Sequence, residues 1–205
     1  MDLSEWYREF GAAAFTLAPT SPPKLLTALG VVEYETVEDA LKELQEHHEY
    51  AWVQENMGAP EDRETPLLVA AAVDNDWSVA IEVDGMTGWT GCKTEILRSV
   101  SESYGIAYSC FYDSGNAQVL VSSSGMNPAY INTLSGDRRG ELAPDMDRAL
   151  TEAGFHGGGF RALAPHLQEM RDLERLDTAF YAVSRRHLTD CVNTDGWIAG
   201  QTSSR

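Results

Sequence analysis

The chain predicts an α+β fold: an antiparallel β-meander of about five strands, flanked by N-terminal helices and a long C-terminal helix. Three observations point there. Apolar side chains recur at helical spacing in the N-terminal quarter. From Leu67 to Leu134 the period shortens towards two, with Asp-, Asn- and Gly-rich breaks. Beyond Ala162 the helical period returns, and a switch of this kind separates helical from sheet segments.

In order, Leu3, Trp6, Tyr7, Phe10, Ala14 and Leu17 line one side of an expected helix capped by Ser4 and ended by Pro19. Ser21 caps a short helix from Pro22 to Leu29, with proline in its first turn and Gly30 closing it. Thr36 and Asp39 open a long helix to about Asn56, with Val37, Ala40, Leu41, Leu44, His48, Ala51 and Trp52 on its inner stripe. Glu35, Glu38, Glu46 and Glu49 fall mostly on its outer side.

Two β-rich runs, Leu67 to Val73 and Trp77 to Val83, flank Asp74-Asn75-Asp76 as a hairpin. In the second run Trp77, Val79, Ile81 and Val83 alternate with Ser78, Ala80 and Glu82, which predicts one buried and one partly wet face. A helix from Lys93 to Ser103 follows, then a second hairpin (Ile106 to Tyr112, Gln118 to Ser122) and a strand from Ala129 to Leu134. Asp145 to Ala153 reads as a short helix, Gly157-Gly158-Gly159 as a joint, and Ala162 to Leu188 as the last helix. The tail from Asn193 reads as frayed, with Trp197-Ile198 able to fold back. Residues 1–155 are thus expected as an α+β domain, and 156–205 as a glycine joint and helical extension on the same core.

Trp77, Ile81, Glu82 and Gly85 spell a Trp-x-x-x-Ile-Glu-x-x-Gly strand, and Lys24 to Gly30 a leucine-rich helix ending in Leu-Gly. On these features, over roughly residues 3–155, the chain resembles an actinobacterial protein family to which no activity is assigned. The resemblance implies a fold and no chemistry. Where that family tends to carry a Leu-Ser pair, this chain reads Arg98-Ser99-Val100-Ser101.

The 205 residues, 43% of them apolar, suffice for one well-buried core. The N-terminus is acidic where a secretory signal is basic, and no apolar run reaches the length of a membrane span. Cytoplasmic residence is therefore expected. Cys92, Cys110 and Cys191 are odd in number and widely spaced, which fits reduced thiols.

Candidate chemistry is sparse. His47-His48-Glu49 lacks the His-Glu-x-x-His spacing that turns two imidazoles onto one ion. Ser122-Ser123-Ser124-Gly125 lacks a nucleophile elbow. The glycines after His156 follow a predicted helix and precede no Lys-Ser or Lys-Thr, so they do not form a phosphate cradle. Cys110 and His156 could pair only through tertiary structure. Glu82 and Asp84 lie two apart on one strand face, suited to holding a cation, to acid–base work or to a turn hydrogen bond. Trp89, in a loop, suits a pocket or an interface. No catalytic residue, metal or cofactor is assigned.

The charge is the other guide. The formal net charge is −17, and residues 1–66 hold 14 acids against 4 bases. Such a field repels nucleic acid and anionic membranes and attracts basic proteins. The expectation is a non-catalytic acidic interaction protein, an immunity or antitoxin-type inhibitor of a basic, toxin-like partner. Its binding surface would be formed by Glu35, Glu38, Glu46 and Glu49, with Glu82, Asp84 and Trp89 as further candidates. Two alternatives stand beside it: a small-ligand protein or enzyme with its site between sheet and C-terminal helix, and a nucleic-acid mimic.

Overall fold

A computed structural model describes residues 12–40, 42–47, 67–72, 77–83, 89–113, 116–132, 137–141, 143 and 197–202. These residues build one antiparallel sheet. Its strands are β1 (Ala13–Ala18), β2 (Val31–Val37), β3 (Leu67–Ala72), β4 (Ser78–Val83), β5 (Ile106–Asp113), β6 (Asn116–Ser123), β7 (Ala129–Asn132), β8 (Arg138–Arg139) and β9 (Trp197–Thr202). The order across the sheet is β2-β9-β3-β4-β1-β5-β6-β7-β8.

The expected α+β class holds in its sheet. The β3–β4 and β5–β6 hairpins form as predicted, with Ala70 opposite Ala80 and Cys110 opposite Val119. The count of about five strands is corrected to nine among the described residues, and the sheet is not a simple meander. β1 is inserted between β4 and β5, pairing Thr16 with Ala80 on one side and with Ser109 on the other. β9 enters between β2 and β3, so a segment expected to fray is an internal strand.

The first helix prediction fails at its C-terminal end, because residues 13–18 are strand; residues 3–11 lie outside the described set. All six residues of β1 are buried. A strand covered on both faces loses the two-residue alternation that would reveal it, and its apolar residues then also match helical spacing. β4 corrects a second expectation for the same reason. Ser78, Ala80 and Glu82 are as buried as Val79, Ile81 and Val83, so neither face is wet.

Helix α1 (Pro22–Ala28) starts after Ser21 and is followed by Gly30 at φ +92°, a left-handed conformation open to glycine. Ser21 holds the N-cap position without a side-chain bond. Helix α2 (Thr94–Tyr104) follows Lys93 and ends at Gly105, φ +89°. Both cover one sheet face, where the small residues Ala18, Ala70, Ala80 and Ala107 make room for Leu25, Leu26, Leu29, Leu97 and Val100. Facing small against large side chains in this way lets helix and sheet interdigitate.

The long helix expected from Thr36 begins later. Thr36 lies in β2, and Asp39 is the cap: its Oδ1 accepts the Lys42 N–H at 3.1 Å and its carbonyl the Glu43 N–H at 3.1 Å. Residues 42–47 are helical, with Leu44 fully buried; residues 48–56 lie outside the described set. So do the glycine joint at 157–159 and the predicted helices over 145–153 and 162–188.

Candidate functional site

Two places collect the residues singled out by sequence. One is buried at the middle of the sheet, and the other runs along its β2 edge.

The buried place centres on Glu82, which is 3% exposed. The chain leaving β4 returns through Trp89 into a 3-10 turn, Thr90–Cys92, whose first N–H groups have no partner within the turn. Trp89 offers no side-chain cap there. Glu82 takes that role from the neighbouring strand. Its Oε2 accepts the Thr90 N–H at 2.7 Å and its Oε1 the Thr90 hydroxyl at 3.0 Å, with the Gly91 N–H also directed to it. Desolvation outweighs these donors and the Lys93 charge, and pushes the carboxyl up to about 7.

Beside it runs a line of small polar side chains. Thr16 Oγ1 lies 3.1 Å from Ser109 Oγ, which in turn lies 3.2 Å from Cys92 Sγ. Gly91 passes so close to Thr16 that a Cβ there would fall 1.7 Å from Thr16 Oγ1. Burial, with a smaller contribution from the Glu82 charge, pushes the Cys92 thiol up to about 12 even though Ser109 bonds to it. A thiol held protonated is a poor nucleophile and a poor metal ligand. The buried Glu82 carboxylate bonded to Thr90, and the half-buried Cys92 thiol bonded to Ser109, together fix the 3-10 turn to the sheet.

Trp89, expected to line a pocket or an interface, is buried (7% exposed), with its ring 6.0 Å from that of Phe111. Trp77 is buried and stacks on Tyr108 at 5.8 Å. Asp84 lies outside the described residues. Ser122, weighed as a nucleophile, is fully buried: its hydroxyl meets Ser101 Oγ at 2.6 Å and the Met126 carbonyl at 2.6 Å. These bonds, with the Gly125 N–H donated to Ser101 Oγ at 3.0 Å, pin the 123–126 turn to α2. Cys92 and Cys110 are thiols, while Cys191 and His156 lie outside the described residues. Among the described residues no group of His, Cys, Asp and Glu could hold a metal ion, and no helix is long and apolar enough to cross a membrane.

The second place is the β2 edge. Among the described residues β2 pairs with β9 alone. Its five inner residues, Val32 to Thr36, are all exposed. Glu33 and Glu35 share one face of the strand, and Glu38 follows on the bend before the Asp39 cap. Sequence reading placed Glu35 and Glu38 on a helix; they stand on an edge strand and its exit instead. It also passed over Glu33, although the alternation Glu33-Tyr34-Glu35-Thr36 was the available signal for a strand. Glu46 is helical and compensated by Lys42, 3.5 Å away at i−4. Glu49 lies outside the described residues. Among those described, no base lies within ion-pair distance of Glu33, Glu35 or Glu38.

Comparison with family models, with curated proteins and with solved structures found no match.

Proposed function

We propose that this protein is a non-catalytic acidic interaction module that binds a basic protein partner, as an immunity or antitoxin-type inhibitor does. The observation that carries the reading is the contrast between its two sets of carboxylates. Glu82 is spent inside the fold on the Thr90 turn. Glu33, Glu35 and Glu38 stand exposed on one edge, with no base within ion-pair distance among the described residues. Uncompensated surface charge of one sign raises the encounter rate with a partner of the other sign. The buried polar line argues against nucleophilic chemistry at Cys92, since its thiol stays protonated at neutral pH.

The test is co-expression of the protein with a panel of basic, toxin-like nucleases. Inhibition of one of them by the parent, and its loss in a Glu33→Lys/Glu35→Lys/Glu38→Lys variant that still folds, supports the reading. Inhibition that survives the triple reversal refutes it.

A further inference from the structure

We infer that the partner contributes an extended basic segment that adds to the sheet as a strand alongside β2. The inference rests on the acidic-module reading above and specifies its geometry. β2 is a seven-residue strand at the end of the sheet order, and its edge is not covered by another described strand. An edge strand presents a row of backbone N–H and C=O groups ready to pair with a further chain.

The register limits where pairing occurs. Between Val31 and Glu33 the pairing with β9 slips, so Val32 bulges out, 73% exposed. A bulge twists the strand and ends regular pairing. From Glu33 to Val37 the ladder with β9 is regular, running Gln201, Gly200, Ala199, Ile198, Trp197. That is the stretch able to take another strand.

Charge selects the occupant. Glu33 and Glu35 are two residues apart and share a face, while Tyr34 and Thr36 share the other. In a symmetric antiparallel pairing of two β2 edges about Tyr34, Glu33 of each copy would face Glu35 of the other, and like charges directly opposite destabilise a pair. The same carboxylates favour a strand with Lys or Arg at alternate positions and β-branched residues between them. The far edge of the sheet, β8, cannot serve as that strand from a second copy: it is two residues long, with Arg139 placed over Tyr130 at 5.5 Å.

The probe is an acetylated and amidated peptide, Thr-Lys-Val-Lys-Val-Lys-Thr. Its binding is measured by titration calorimetry and by backbone amide exchange of the full chain. The expected result is saturable binding with slowed exchange at residues 33–37. Binding should weaken at least tenfold for Glu33→Lys/Glu35→Lys, and again at least tenfold for the parent protein when every peptide nitrogen is methylated. If the methylated peptide binds equally well and exchange at residues 33–37 is unchanged, while the lysine variant still loses affinity, strand addition is overturned and the acidic-module reading survives. If binding is indifferent to the charge reversal, both fall. If the protein alone forms dimers that Glu33→Lys/Glu35→Lys dissolves, the edge belongs to a second copy and the inference is overturned.

Discussion

Both oxygens of the Glu82 carboxylate are occupied by Thr90, one by its backbone N–H at 2.7 Å and one by its hydroxyl at 3.0 Å. A strand residue thereby caps a turn eight positions further along the chain. The pair determines how the segment after β4 rejoins the fold, and it places a titrating group in the core.

That placement has a pH signature. The Glu82 carboxyl is raised from 4.5 to about 7 in the folded protein. A raised carboxyl favours folding fully below pH 4.5 and loses that contribution as pH climbs through 7, because the buried form must ionise. The difference amounts to about 3 kcal/mol. Glu82→Gln keeps a carbonyl for the Thr90 N–H and an amide for the Thr90 oxygen, and it does not titrate. Denaturant melts at several pH values should therefore show the variant gaining on the parent by about 3 kcal/mol between pH 4.5 and 8. A stability difference independent of pH would mean that Glu82 is not buried against Thr90 as described.

Gly91 lies against Thr16 at the centre of the sheet. A methyl group at Gly91 would meet Thr16 Oγ1 at 1.7 Å and Thr16 Cβ at 2.9 Å; the hydroxyl can rotate away, but the Cβ is held because β1 is paired on both sides. Gly91→Ala should cost about 3 kcal/mol, at the upper end for overpacked cores. Adding Thr16→Ala should recover part of the loss, a non-additivity expected of residues in contact. Equal stability of Gly91→Ala and parent in thermal melts would place the 3-10 turn elsewhere.

Trp77 stacks on Tyr108 across the face of the sheet away from α1 and α2. Trp77→Ala should cost about 3–5 kcal/mol, as large aromatic truncations do. A melting temperature within a degree or two of the parent would show that the ring does not hold the sheet.

Elements with local signals were legible in the sequence. Pro22 and Gly30 bracket α1, Gly105 ends α2, and the turn-rich breaks at 74–76 and 113–116 separate the paired strands. β1, β2 and β9 were not legible as strands. β1 is apolar on both faces apart from Thr16. β2 precedes a genuine helix cap at Asp39, so the helical reading reached back over it. β9 is recognisable only beside β2 and β3, far away in sequence. Glu82 stood out as a polar residue in an apolar strand, but the partner that explains it, Thr90, lies eight positions further along the chain and carried no sequence signal.

The acidic edge itself is tested most directly by the association rate with a cognate basic protein, measured by stopped flow at rising salt. The parent should associate quickly at low salt and slow down as ionic strength shortens the screening length from about 30 Å to 8 Å. Glu33→Lys/Glu35→Lys/Glu38→Lys should associate at least tenfold more slowly at low salt and lose most of the salt dependence, with its melting temperature preserved. An association rate that neither the three reversals nor added salt alters would contradict the assignment of this edge as the binding surface.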